Sequence, residues 1–309
     1  MSPVDLTCRL LELELRNPIV LASGIIGTSA TLLKRAAEAG AGAVTAKSCG
    51  PEPRAGHPNP IALDWGGGLI NAVGLSNPGV EEEVHLLGEA RALLDPLGVP
   101  LVASIFAGTV EGFVRVGRTV IAARPDLVEI NISCPNVGDE FGTIFAATCQ
   151  DAAAVTAAVK DVIDVPITVK LSPSVPNIAR IAAAVVEAGA DAITAVNTMP
   201  GMIICPEAGQ AVLSNRVGGI SGPALKPIAL RCVYEIARAV RVPIIGTGGV
   251  TTGRDAAEML MAGATAVGVG SAVWYRGVAA LGEIGKELAT FMESEGYTTL
   301  EEMRGMAHR

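Results

Sequence analysis

Aromatic residues are scarce in this sequence: Phe, Trp and Tyr make up 3% of 309 residues, although half of the chain is hydrophobic. The interior must therefore be packed with Ala, Val, Ile and Leu, as in parallel sheets covered on both faces. Basic residues are also short, 23 against 31 acidic, for a net charge of -8. That balance excludes an extended nucleic-acid surface and an anionic membrane partner, while leaving room for a small anion bound locally. Cysteines stand at positions 8, 49, 134, 149, 205 and 232 with no paired short spacing, and His57, His85 and His308 are scattered. No metal or iron–sulfur site is expected on this chain. No apolar run reaches the ~18 residues of a spanning helix. Asp5, Arg9, Glu12 and Glu14 interrupt the amino-terminal apolar residues, as neither a signal peptide nor an anchor would allow. A soluble, cytoplasmic protein is expected. There is no Gly-x-Gly-x-x-Gly after the first strand, so a Rossmann dinucleotide site is unsupported.

What is present is repetition. Ala39-Gly40-Ala41-Gly42-Ala43-Val44, Ala188-Gly189-Ala190-Asp191-Ala192-Ile193 and Ala262-Gly263-Ala264-Thr265-Ala266-Val267 are one phrase used three times. Each follows an Ala-rich helical stretch and leads into a β-branched run, with glycine ending the helix. Val99-Pro100-Leu101, Val165-Pro166-Ile167 and Val242-Pro243-Ile244 each open a strand, where proline's missing donor is tolerated. Strands are expected near Pro18–Ala22, Ala43–Lys47, Val99–Ser104, Leu127–Ser133, Pro166–Leu171, Ala192–Asn197, Pro243–Gly246 and Ala266–Gly270. Helices fall between them, including Ser29–Ala39 with Ser29 as cap, Ile178–Ala188 and Pro227–Val240. Eight alternating units imply an α/β fold of the (β/α)8 TIM-barrel type, although an open doubly wound sheet shares the local pattern. The two alternating segments Leu6–Leu10 and Leu11–Leu15 are expected to form a hairpin at the barrel's bottom.

The strand ends are chemically unusual. They carry Ser23-Gly24, Lys47-Ser48, Ser104, Asn131 with Cys134, Lys170, Asn197-Thr198, Gly248-Gly249 and Gly270-Ser271, and barrel active sites occupy that rim. Asn131-Ile132-Ser133-Cys134-Pro135-Asn136 is the centre: its amide and hydroxyl groups alternate with an apolar residue, which is costly in a core unless something binds there. Val137–Thr148, with Gly138 and Gly142, lacks a helical period and suits a movable loop over a site. Gly248-Gly249 and Gly270-Ser271 follow the last two strands, where barrels cradle phosphate on backbone N–H groups. The long insertions Ser48–Asn77 and Met199–Pro223 are expected to build walls over the rim.

These motifs, with Asn71-Ala72-Val73-Gly74-Leu75, Val169-Lys170-Leu171-Ser172-Pro173 and Gly218-Gly219-Ile220-Ser221-Gly222-Pro223, resemble the catalytic subunits of class 1 dihydroorotate dehydrogenases from about Arg16 to about Tyr275. The wording around Asn71 and Ser221 resembles the NAD-linked B branch, and the cysteine separates the chain from the quinone-using class. The resemblance implies one FMN-binding domain over residues 1–309 that oxidises dihydroorotate to orotate in pyrimidine synthesis. By matching position, Cys134 is the base for the C5 proton, and hydride passes from C6 to the flavin. Substrate would be held by Lys47, Asn71, Ala72, Val73, Gly74, Leu75, Asn131, Asn197 and Thr198. FMN would be held by Ser23, Lys47, Ser48, Asn131, Lys170, Val196, Gly222, Gly248, Gly249, Gly270 and Ser271. Ser104 departs from the branch, which usually has an asparagine contacting FMN there. The resemblance also implies a homodimer core and a second subunit carrying FAD and a [2Fe–2S] cluster that passes electrons to NAD. Two alternatives remain: an FMN barrel acting on another dihydropyrimidine, and a flavin-free phosphate-binding isomerase.

Overall fold

Glycine and proline set the repeating unit as their chemistry requires. Helices Ala30–Glu38, Ile178–Glu187 and Gly253–Met261 are each followed at the second residue by a glycine, Gly40, Gly189 and Gly263, at φ +111°, +104° and +113°. A Cβ there would strain the reversal into the next strand. Pro100, Pro166 and Pro243 donate nothing to the sheet, but their carbonyls accept from Val44, Val128 and Ile193 of the preceding strand. Proline thus opens a strand without leaving a partner unpaired.

The computed structural model describes residues 4–133 and 145–309. Eight parallel strands, Ile19–Leu21, Ala43–Thr45, Leu101–Ile105, Leu127–Asn131, Ile167–Leu171, Ala192–Ala195, Ile244–Thr247 and Ala266–Val269, pair in chain order. The eighth closes onto the first, with Val267 opposite Ile19. The open-sheet alternative is thereby excluded, and each expected strand is found within two residues of its expected ends. Strand residues such as Ile19, Val44, Leu101, Ile130, Val169 and Ile193 are buried, and helices cover the outside. The hairpin pairs Cys8–Leu10 with Leu13–Leu15, and Leu10 and Leu15 join the main core just ahead of the first barrel strand. The helix caps also follow the sequence: Ser29 accepts from the Leu32 N–H, and Thr252 forms a capping box with Asp255.

The insertions are more ordered than loops. Ala62–Asp64, Leu69–Asn71, Val217–Ser221 and Met199–Met202 form a four-stranded antiparallel sheet in the spatial order 199–202, 217–221, 69–71, 62–64. Ile70, Ala72 and Leu213 give it a small core of its own, packed by Leu63, Trp65, Ile203 and Ile220. This sheet leaves the barrel at its carboxyl-terminal rim. No helix among the described residues is long and apolar enough to cross a membrane.

Candidate active site

The fourth strand, Leu127–Asn131, puts its odd-numbered residues on one side, so Glu129 and Asn131 share a face and Ser133 continues the series. All three are buried, and each polar group is paired. Strand register brings Asn131 opposite Lys170 of the fifth strand, while Ser104 of the third lies opposite Glu129. Lys170 Nζ donates to Ser23 Oγ at 2.9 Å and stands 3.6 Å from Glu129 Oε1. Glu129 Oε1 accepts from Ser23 Oγ and from Ser104 Oγ, each at 2.9 Å. Ser104 and Ser48 hydroxyls are 2.8 Å apart, and Asn131 Nδ2 donates to Ser48 Oγ at 3.3 Å. Asn197 Nδ2 reaches Asn131 Oδ1 at 3.3 Å and Ser133 Oγ at 3.1 Å. A buried ammonium with a carboxylate and hydroxyl acceptors is the arrangement that tolerates desolvation.

Above this polar layer lies a cavity of about 270 Å³. Its walls include Ser23, Lys47, Ser48, Asn71, Val73, Gly74, Leu75, Asn131, Lys170, Val196, Asn197, Thr198, Gly248, Gly249, Gly270 and Ser271. The barrel and the rim sheet therefore gather nearly every expected site residue into one space. Ala72 and Gly222 are not in its wall. Ala72 packs with Ile70 and Leu213 in the rim sheet's own core, fully buried. Gly222 lies one layer back, its carbonyl 2.8 Å from where a Cβ on Gly249 would stand. Cys134 and the loop from Val137 lie outside the described residues, except for a short turn at Phe145–Ala147 and the cap residue Thr148. Ser104 does not line the cavity; it is buried against Ser48 and Glu129.

Sequence reasoning passed over Glu129 and the apolar wall of Leu69, Ile70, Leu225 and Trp274. An acid in phase with Asn131 and Ser133 inside an apolar strand was the available signal for Glu129. No sequence signal marked the wall residues, which come from separate loops and helices.

The turn after the seventh strand is built for close approach. Gly248 and Gly249 have φ +133° and +75°, and a Cβ on Gly249 would stand 2.6 Å from the Lys226 backbone nitrogen. Asp255 holds this turn by accepting from the Thr251 and Thr252 N–H groups and from Lys226 Nζ. Burial works against its charge, but Lys226 and Thr251 hold the Asp255 carboxyl below the usual carboxylate range. Gly270 differs: its φ, -126°, is not left-handed, and the nearest atom to a Cβ there would be Ala22 Cβ at 3.7 Å. The space in front of Gly270 opens into the cavity.

Glycines also set the rim sheet against the barrel. A Cβ on Gly219 would fall 2.0 Å from Thr198 Oγ1, and one on Gly218 would fall 2.6 Å from the Asn71 carbonyl oxygen. Their absence of side chains lets Asn71 and Thr198 converge, with Asn71 Nδ2 donating to the Gly219 carbonyl at 3.4 Å. Gly219→Val is expected to cost about 1–3 kcal/mol of stability through overpacking and to displace Thr198 from the cavity. Urea unfolding checks the first effect; unchanged stability would show that the strands are free to part.

A family model described as dihydroorotate dehydrogenase matches residues 5–292. A protein of Methanosarcina mazei is 46% identical over 297 residues, 96% of this chain and 93% of its own length. One from Methanothermobacter thermautotrophicus is 44% identical, covering 96% of each chain, and one from Methanocaldococcus jannaschii is 41% identical over the full length of both. All three are named dihydroorotate dehydrogenase B (NAD(+)), catalytic subunit. With the barrel, the rim residues and these likenesses in agreement over nearly its whole length, the chain belongs to the dihydroorotate dehydrogenase family.

Proposed function

We propose that this chain, as one domain, oxidises dihydroorotate to orotate in pyrimidine biosynthesis with FMN held in the rim cavity. The observation that carries the reading is the single cavity in which Lys47, Asn71, Asn131, Lys170, Asn197 and Thr198 meet the Gly248-Gly249 turn and Gly270-Ser271. When bound, FMN supplies a two-electron acceptor for the hydride that leaves C6 of the substrate. Asn71, Asn131, Asn197 and Thr198 orient the substrate ring and carboxylate, since amides offer both donors and acceptors to a planar amide-bearing ligand. The ammonium groups of Lys47 and Lys170 hold positive charge where negative charge develops, Lys170 beside the flavin's pyrimidine edge. In this reading the backbone N–H groups of Gly248, Gly249, Gly270 and Ser271 bind the phosphate, with Ser23, Ser48, Val196 and Gly222 around the remainder. Cys134, next in sequence after Ser133, takes the C5 proton on its sulfur.

An anaerobic spectrum before and after dihydroorotate tests the reading. A yellow protein that bleaches on addition supports it; a colourless protein that binds no FMN overturns it and favours a flavin-free barrel. Dihydrouracil reducing the flavin faster than dihydroorotate would move the assignment to another dihydropyrimidine. Gly270→Ala is expected to weaken FMN binding roughly tenfold or more, because the added methyl group enters the cavity and not the core. Equal FMN affinity in that variant would remove the Gly270 loop from the phosphate site.

The same reading includes a homodimer core and a partner subunit with FAD and a [2Fe–2S] cluster that hands electrons to NAD. Its support is that the relatives are named catalytic subunits. Met202 and Val217, paired across the rim sheet, and nearby Ile204 are exposed apolar residues available to such contacts. Co-purification with an iron–sulfur flavoprotein tests the partner, and a cytoplasmic location is tested by fractionation.

A further inference from the structure

We infer that Glu129, which does not touch the cavity, is a positioning residue. Its buried carboxylate holds the Lys170 ammonium and sets the donor direction of a chain of hydroxyls and amides that ends at the substrate-facing asparagines. The inference rests on the reading that FMN and dihydroorotate share the cavity.

A carboxylate accepts hydrogen bonds and donates none. The hydroxyl hydrogens of Ser23 and Ser104, both 2.9 Å from Glu129 Oε1, are therefore committed to it. On one side, Ser23 Oγ is left to accept from Lys170 Nζ at 2.9 Å. On the other, Ser104 Oγ accepts from the Ser48 hydroxyl, whose oxygen in turn accepts from Asn131 Nδ2. With its amide nitrogen turned to Ser48, Asn131 keeps Oδ1 toward Ser133 and Asn197 Nδ2. One anion thus orients both the cation and the amides of the proposed site. Among the described residues, Glu129 is the acid within 4 Å of Lys170. Both side chains are nearly inaccessible, 5% and 7% exposed, so solvent cannot replace either partner. Glutamine at the same place would bring an amide that donates as well as accepts, and the ammonium would lose its counter-charge.

The test uses the full chain stripped of flavin, as wild type, Glu129→Gln, Lys170→Met and the double variant. FMN binding is read by fluorescence quenching, the bound flavin by its absorption bands, and the apoprotein by its thermal midpoint. Glu129→Gln and Lys170→Met are each expected to weaken FMN binding roughly tenfold or more, the loss of a charge-assisted contact. The bound flavin's bands are expected to shift in both. The double variant should lose clearly less affinity than the sum of the two single losses, because the Lys170 branch of Glu129's effect is already gone in Lys170→Met. The thermal midpoint should fall in both single variants and recover most of that loss in the double variant. Additive losses in FMN affinity, or a Glu129→Gln protein with wild-type affinity and spectrum, would overturn the inference. Should wild type bind no FMN, the functional reading fails, and the thermal cycle still decides the coupling: additive midpoints refute it and recovery in the double variant supports it.

Discussion

Replacing Cys134 with alanine is expected to slow dihydroorotate oxidation by about 10²–10⁴-fold, the usual worth of a positioned general base, while the protein keeps its fold and its flavin. The substrate's C5 proton is weakly acidic and needs an acceptor at the moment hydride leaves C6. Only the thiolate is basic enough, and a free thiol with a pKa of ~8.5 holds little thiolate at neutral pH. The wild-type rate should therefore climb as the pH is raised from neutral into the mildly alkaline range, and the alanine variant should lose that climb. Three buried thiols do not blur the experiment, and alkylation at the half-buried Cys149 and Cys205 is separated from that at Cys134 by peptide mapping. Burial pushes Cys8 up to about 12 and Cys232 up to about 11, and drives Cys49 up as well. These three stay protonated and slow to alkylate near neutral pH. Loss of activity on treatment with iodoacetamide should follow modification of Cys134 and be slowed by orotate. Stopped-flow reduction with the same rate in wild type and Cys134→Ala would take the thiol out of the mechanism.

A second large effect concerns stability and lies away from the chemistry. Glu83, in the first turn of helix Val80–Leu94, is 2% exposed, and its Oε1 has no hydrogen-bond partner among the described residues. The helix amino terminus favours a negative charge there. Burial wins, and pushes the Glu83 carboxyl from 4.5 to about 7. The folded protein therefore binds this proton more tightly than the unfolded chain. Its contribution is complete below about pH 4.5 and is lost as the pH rises through about 7. The loss amounts to roughly 3 kcal/mol at pH 8, at 1.36 kcal/mol for each pH unit of difference. Glu83→Gln, neutral at every pH, is expected to match wild type near pH 4.5 and to exceed it at pH 8 by roughly that amount. Urea unfolding at the two pH values measures it. Stability curves that run parallel for the two proteins would mean that Glu83 is not the group responsible.

Much of the architecture was legible because it rests on short-range rules. The glycines at 40, 189 and 263 and the prolines at 100, 166 and 243 act within a few residues of themselves, and the strands they delimit appeared where expected. Lys47, Lys170, Asn131 and Asn197 stood out because a polar group that ends an apolar run must be satisfied somewhere. The rim sheet was not legible: its strands are three to five residues long, and they pair residues as far apart in sequence as Leu69 and Ser221. Such segments carry no period of their own, and their partners exist only once the barrel has brought the loops together. Ala72, expected at the site with its neighbours, packs in the rim sheet's own core instead of the cavity wall.

By itself the sequence determined the repeating strand–helix unit, the polar strand ends and the glycine turns, since each follows from the conformational limits of residues close in the chain. Tertiary structure alone decided that the sheet closes, and that Glu129 meets Ser23 across 106 residues and Lys170 on the neighbouring strand. The reason is physical: a buried charge is tolerable only beside its counter-charge, and which groups become neighbours is set by the stagger of strands around the barrel.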